Sequence, residues 1–380
     1  MKRALAGALL IACASRAKAQ SDEASGDSVT IVATGDVLLH IKVNAAAARH
    51  GYGRLFSALR PHLSSDAIAF ANLETPLVSD VREVMTGSPP TLGSEPEAAS
   101  ALADAGFDVL SMANNHAYDQ GSAGALRTLQ AVHHASMVAV GASETGGDPW
   151  MPRIVERAGT RVAFIATTDG LNQGPGRPTV ARIAHHDDDR LRAALASARD
   201  QADVVVLSVH WSYDYAPRVS RRQRRRAQAW IDAGADFVVG TGPHVLHPVE
   251  RVASPRGEGL VAYSLGNLIS NQGQRWAPGR RVSRRAHAAV RIPDTRDGVL
   301  LRARFLLREG RISIELPAAV ALHTENNFWQ WWFDRQLGHD IRVVPLGDAA
   351  APVRRARFDP IQRALGGALR LEPVTLAGAP

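Results

Sequence analysis

The sequence predicts an α/β protein, on three observations. Short apolar runs with strand character alternate with amphipathic stretches of helical period. The runs end repeatedly in Asp, Asn, Glu or His. The chain has 380 residues, 45% of them hydrophobic, which is material for one large core or two smaller ones. Polar groups that directly follow a buried strand are presented at the C-terminal edge of its sheet, where α/β proteins keep their sites.

The elements follow in order. Residues 29–37, 67–73, 109–112, 137–140, 162–167, 204–210, 237–240 and 260–265 are rich in Val, Ile, Ala and Phe and predict strands. Between them, 95–105 predicts a helix with Ser94 as its N-cap and Gly106 as its stop. Further helices are expected over 123–134, 188–199 and 220–233, the last ending at Gly234. Residues 286–292, 300–307 and 311–316 predict an antiparallel meander with Arg-Glu-Gly at a hairpin turn. From about Asp348 the chain is weakly patterned and partial disorder is expected. No internal repeat is present.

The formal charge is +7, but Lys2, Arg3, Arg16 and Lys18 precede residue 20, where there is no acid, which leaves +3 for the rest. Of the 44 basic residues only Lys2, Lys18 and Lys42 are lysines, a bias of composition rather than a sign of a polyanion partner. Residues 1–19 read as a secretory signal: a basic start, an apolar run to Cys13 and a small-x-small ending at Ala17-Lys18-Ala19. Cleavage is expected after Ala19, giving a secreted or periplasmic protein. The alternative is a lipoprotein anchored through Cys13, the only cysteine. The folded part therefore has no disulfide and depends on core packing or bound metal. The expected organisation is signal 1–19, linker 20–28, a main domain over 29–320 and a helical or irregular extension over 321–380.

Six strand ends carry the candidate chemistry: Thr34-Gly35-Asp36, Asn72-Leu73-Glu74, Asn114-Asn115-His116, His210-Trp211, Gly240 to His244, and Ser264 to Asn267. Any one of them alone is an ordinary turn. Six in succession, mixing carboxylate, amide oxygen and imidazole without thiolate, suit a divalent ion of the Zn, Mn, Fe or Mg kind. The stretch 110–121 is the richest, adding Asp119 and a closing Gly121. Ala262 to Gly266 approaches a serine-hydrolase elbow but lacks its first glycine.

In this order the motifs resemble the CapA family of poly-γ-glutamate capsule proteins, within the calcineurin-like metallophosphoesterase superfamily. The motifs are Gly35-Asp36, Asn72-Leu73-Glu74, Ala113 to His116 with Asp119 and Gly121, His210-Trp211, Asp232 to Asp236, Gly240 with Pro243-His244-Val245, and Tyr263 to Asn267, spread over about 29–270. The resemblance implies a four-layer fold, two packed mixed sheets flanked by helices. It implies metal ligands at Asp36, Glu74, Asn115, His210 and His244, and His116 as the group that polarises the substrate or protonates the leaving group. Asn72, Asn114, Asp119, His247 and Asn267 are supporting candidates. Two positions depart from the pattern, Leu38 and Gly242, each standing where a ligand histidine is usual. The implied cofactor is one or more divalent ions. The implied activity is hydrolysis of a phosphoester or of poly-γ-glutamate. The rival is a non-catalytic part of membrane-bound capsule machinery that retains the fold.

Two clusters remain. Arg218, Arg221 and Arg222, with Arg224 to Arg226, crowd a helix start, where the dipole disfavours cations by ~0.3–1 kcal/mol each. They form either a solvated face or a groove for an anionic polymer such as poly-γ-glutamate. Nucleic acid is not expected, because aromatic residues do not interleave with the arginines. The run Phe328 to Phe333 is expected to pack into the core, with a membrane or sugar surface as the alternative.

Overall fold

The computed structural model describes residues 28–83 and 89–375. The expected signal, both of its cleavage alternatives and the linker up to residue 27 lie outside the described residues. One mixed sheet runs from Val138–Val140 through Val109–Ser111, Ala67–Leu73 and Ser28–Val37 to Asp297–Arg308. It continues through Arg311–Ile314 to Gly257–Ala262, Phe237–Thr241, Val204–His210, Thr160–Thr168 and Arg153–Arg157. Its two halves are joined across Gly257 and Ile312 by a single register pair. They face each other. Phe70 stacks on Phe164 with centroids 6.1 Å apart, and Phe237 meets Phe305 at 5.8 Å.

Side-chain alternation builds the layers. In Val204–His210, Val204 and Val206 enter the core between the half-sheets. Val205, Leu207 and Val209 point the other way, onto Leu191 and Leu195 of helix Asp188–Gln201 and onto Trp230 and Ile231 of helix Arg221–Asp232. Helices Glu97–Ala105 and Gly121–His134 cover the opposite half with Leu102 and Leu129. Helix, sheet, sheet, helix: the four expected layers are present. Each fully buried Val or Leu here contributes roughly 1.5–3 kcal/mol.

Three local expectations need correction. Helix Glu97–Ala105 starts later than expected, with Pro96 and not Ser94 at its N-cap position. The Ser94 hydroxyl is used elsewhere, against Tyr52 Oη at 2.9 Å and donating to Asn44 Oδ1 at 2.7 Å. Residues 286–292 do not form a strand. Ala288–Arg291 is a short helix whose start is capped by His287 Nδ1 accepting from Ala289 N, and Pro293 follows it. The partial disorder expected from about Asp348 gives way to order up to residue 365, where the extension is helical: Ala351–Leu365 is a helix with Pro352 in its first turn, where a missing N–H costs nothing. It buries Ile361 and Leu365, and Arg357 reaches Asp294 and Asp297. Strand Ala318–Asn326 runs across the expected boundary at 320 and pairs with Asp297–Arg308.

Candidate metal centre

Parallel register assembles the site. Asp36 lies opposite Asn72 on one side and Asn267 on the other, while His210 lies opposite Thr241. Strand Ser28–Val37 passes so close to the turn after Leu265 that a Cβ on Gly35 would fall 1.8 Å from the Gly266 carbonyl oxygen, which makes glycine obligatory there. Asp36, Glu74 and His210 each offer a ligand atom, and these atoms all lie within 4.8 Å of one another. His244 completes the ring, with Nδ1 3.2 Å from Asp36 Oδ2 and Nε2 3.7 Å from Glu74 Oε1. All four residues are buried.

Hydrogen bonds fix the orientation of three of the four. Asp36 accepts from Asn72 Nδ2 at 2.8 Å and from the Gly242 N–H at 3.0 Å. Asn114 Nδ2 in turn donates to the Leu73 carbonyl at 2.8 Å. His210 Nδ1 contacts Thr241 Oγ1 at 3.1 Å. His244 Nδ1 faces two acceptors, Asp36 Oδ2 and, at 3.1 Å, Asn267 Oδ1, so that nitrogen keeps its proton and Nε2 is the one a ligand would take. Asn267 is itself held by donating to the Thr295 carbonyl at 2.8 Å.

Glu74 is different. Both of its carboxylate oxygens are buried and neither has a hydrogen-bond partner. A buried polar group without a partner costs about 1–3 kcal/mol, and more when charged. Burial, with Asp36 as a second cause, lifts the Glu74 pKa well above the usual carboxylate range, although His244 opposes the shift. Burial would also raise Asp36, yet His244 and His210 prevail and hold it low. Burial alone would lower His244, but Glu74 and Asp36 lift it to about 10. His210 is pushed down to about 4, chiefly by burial. Two carboxylates, two imidazoles and an orphaned pair of oxygens fit a divalent cation: Asp36, Glu74, His210 and His244 would hold it.

The Asn114 to His116 turn borders this ring. Asn114 is structural, as above, and its Oδ1 accepts from His116 N at 3.2 Å. Asn115 keeps its buried Oδ1 without a partner, an amide oxygen open to a cation. His116 Nδ1 lies 2.6 Å from Asp119 Oδ2, which also accepts from Leu92 N at 2.6 Å. The imidazole is thereby oriented by a fixed carboxylate, and its charge is felt at His210.

The remaining candidates are placed differently. His247 turns away, its Nε2 2.8 Å from the Ala216 carbonyl, and makes no hydrogen bond to the ring among the described residues. Leu38 is a core residue. Gly242 cannot be a histidine on this backbone: its φ is +100°, and a Cβ would meet the Trp211 carbonyl at 2.3 Å. Arg218, Arg221 and Arg222 are exposed at the start of helix Arg221–Asp232, which Ser220 and Gln223 close with a capping box. Arg226 is a structural residue, bidentate to Asp169 at 2.7 Å and set over Trp211 and Trp230. Arg224 likewise pairs with Glu250.

Sequence reasoning missed three neighbours. His40 is half-buried, accepts from Asn271 N at 3.2 Å, and has its pKa lowered to about 4 by desolvation and by the charges of Lys42, His116 and His244. Tyr215 packs its ring 5.8 Å from His244. Asn172 Nδ2 lies 3.4 Å from His116 Nε2. His40 alone had a signal, four residues after Asp36 in the same run. Tyr215 and Asn172 come from loops with no pattern.

Residues 30–272 match the family model described as bacterial capsule synthesis protein PGA_cap. The chain is 32% identical over 262 residues to the capsule biosynthesis protein CapA of Bacillus anthracis, covering 65% of this chain and 61% of that protein. It is 28% identical over 251 residues to the PGA biosynthesis protein CapA of Bacillus subtilis (strain 168), covering 66% and 65%. It thus spans less than two thirds of the length of these relatives. Among solved structures, the calcineurin-like phosphoesterase YfkN from Bacillus subtilis aligns over 78% of this chain and 90% of its own, with TM-score 0.46 and 10% identity. With the family model matching well over half of the chain and every residue of the candidate centre, the chain belongs to the PGA_cap family of bacterial capsule synthesis proteins.

Proposed function

We propose that this protein is a metal-dependent hydrolase acting in poly-γ-glutamate capsule biosynthesis, on a phosphoester or on the polymer itself. The observation that carries the reading is the buried Asp36, Glu74, His210 and His244 ring, with the unpartnered Glu74 oxygens inside it. When bound, a divalent ion supplies Lewis-acid polarisation of the electrophile and a water acidic enough to ionise near neutral pH. The chain's own residues do the rest. Asp36 and His210 are preset by Asn72, Gly242 and Thr241, so no reorganisation is needed on binding. His116, oriented by Asp119, presents its Nε2 as the acid for the departing group, and Asn172 Nδ2 borders that nitrogen. Arg218, Arg221 and Arg222, exposed and without an ion pair among the described residues, offer cations for an anionic chain. Residues 1–19 direct the protein out of the cytoplasm, with cleavage after Ala19 or anchoring at Cys13.

The family's capsule context also supports a second reading, an assembly component that binds metal without turnover. The two are separated by assaying bis(p-nitrophenyl) phosphate and poly-γ-glutamate cleavage with Mn, Zn, Fe or Mg, for the wild type and for His116→Ala. Turnover that His116→Ala abolishes supports the hydrolase. Metal binding with no turnover of either substrate supports the assembly role.

A further inference from the structure

The expectation that Phe328 to Phe333 packs into the core holds for Phe328 alone of that run. Trp332 is 46% exposed, Phe333 76% and, in the turn that follows the helix, Leu337 45%. Phe333 is the most exposed large apolar side chain among the described residues. Such groups gathered on one short helix and its following turn leave an apolar corner in water, and a patch of this kind marks a surface that something else covers.

Cations surround the corner. Lys42 Nζ lies 4.8 Å over the Trp331 ring and 5.0 Å over Phe328. Arg335 lies 3.6 Å over Trp331 and 4.7 Å over Trp332, and Arg280 stands 4.5 Å over Trp329. Trp329 Nε1 donates to the Arg275 carbonyl at 3.1 Å, which ties the helix to the segment that begins there. That segment continues with exposed Arg281, Arg284 and Arg285, and the chain has no Asp or Glu between Glu258 and Asp294. Among the described residues none of these cations has an ion pair. The acids nearest the helix in sequence do not compensate them: Asp334 accepts from Gln336 N at 3.0 Å, and Asp340 pairs with Arg54 at 3.1 Å. The crowding is felt at Lys42, whose pKa is lowered to about 8, first by burial and then by the charges of Arg275 and Arg335.

The occupant must answer both the apolar tips and the charge. A soluble polyanion such as poly-γ-glutamate would neutralise the cations and leave Phe333 and Leu337 in water. A second copy of this chain would bring the same cations against each other. An anionic bilayer surface meets both demands: its headgroups attract Lys and Arg, and its acyl boundary receives the apolar tips. Tryptophan is the side chain enriched at that depth, and long basic side chains lie along apolar surface with their heads at the headgroup level.

We propose that the corner formed by Trp332, Phe333 and Leu337, ringed by Lys42, Arg280 and Arg335, docks on an anionic lipid surface. The test is co-sedimentation of the full chain with vesicles of phosphatidylcholine alone and of equal parts phosphatidylcholine and phosphatidylglycerol. Brominated acyl chains, which quench tryptophan fluorescence on contact, are used in a parallel set. Phe333→Ser with Leu337→Ser removes two apolar tips, and Lys42→Gln with Arg335→Gln removes two cations. The wild type should bind the anionic vesicles at least ~10-fold more tightly than the neutral ones, lose affinity as salt rises, and be quenched by the brominated lipid. Each double variant should weaken that binding at least ~10-fold, with melting temperature and metal content unchanged. Anchoring through residues 1–19 would be the same in all three proteins, so vesicle binding that either double variant leaves unchanged overturns the proposal. Equal affinity for neutral and anionic vesicles, no binding to either, or binding of soluble poly-γ-glutamate in place of vesicles overturns it as well.

Discussion

The Gly242 N–H donates to Asp36 Oδ2 at 3.0 Å, so the position where a ligand histidine is usual in the family instead supplies a backbone donor to the first carboxylate of the ring. With φ at +100° and the Trp211 carbonyl oxygen 2.3 Å from the place of a Cβ, no side chain fits at 242 without moving that backbone. Gly242→Ala is expected to destabilise the fold by ~1–3 kcal/mol through strain and clash. A thermal melt reads the effect, and an unchanged melting temperature would show that the turn relaxes freely.

Asp36 accepts from Asn72, from Gly242 and from His244, and every one of those partners points a donor at it. Asp36→Asn puts an amide N–H among donors and removes the charge that holds His244 protonated. A loss of ~3–5 kcal/mol is expected, the usual effect of breaking a buried pair. Urea unfolding of the metal-free protein measures it.

Among the described residues His116 makes no direct hydrogen bond to Asp36, Glu74, His210 or His244, so its removal should separate chemistry from binding. His116→Ala is expected to lower kcat by ~10²–10⁴ while leaving metal content unchanged. Asp119→Asn should lower kcat in the same direction by releasing the imidazole from its 2.6 Å partner. Equal kcat in wild type and His116→Ala would remove His116 from the mechanism.

Below neutral pH a buried histidine outside the ring should contribute to the pH dependence of stability. His323 has a folded pKa of about 4 against an ordinary 6.5. Above pH 6.5 it is neutral folded or unfolded and contributes no pH dependence. As the pH falls from 6.5 to about 4, only the unfolded chain takes up the proton. Stability then falls by up to ~1.4 kcal/mol per pH unit for this one group, levelling below about 4. His323→Asn, which cannot titrate, should flatten part of the slope between pH 6.5 and 4 in chemical denaturation.

Arg218, Arg221 and Arg222 are exposed and unpaired among the described residues. Replacing all three with Gln should weaken poly-γ-glutamate binding at low salt, change stability by no more than ~0.5 kcal/mol, and matter less as salt rises. Unaltered binding at low salt would return these arginines to the solvated face.

The α/β class and the polar strand ends that carry Asp36, Glu74, His210 and His244 were legible because strand ends carry their own signal, an apolar run and then a polar group at the sheet edge, whereas the four layers and the ligand set were implied by the family resemblance. Parallel register does the assembly, and it follows once the strands are identified. Residues delivered by loops were not legible. Tyr215 and Asn172 reach the site through contacts with partners far away in sequence, and no local period marks them. His247 was a supporting candidate beside the His244 motif, but its Nε2 is taken by the Ala216 carbonyl. Residues 286–292 resembled a strand because five of the seven are apolar, and the His287 cap and Pro293 decide for a helical turn. The tail helix was hidden by its arginines, since Arg357 is buried only because Asp294 and Asp297 receive it.

The central claim is that the buried ring holds a divalent cation through Glu74. Elemental analysis of protein reconstituted with Mn, Zn, Fe or Mg in turn, then dialysed, tests it most directly in the wild type and in Glu74→Gln. At least one of these metals should remain at one or more ions per chain in the wild type and be lost in Glu74→Gln, whose fold is checked by its melting temperature. No retained metal in the wild type, or equal retention by a folded Glu74→Gln, would contradict the account.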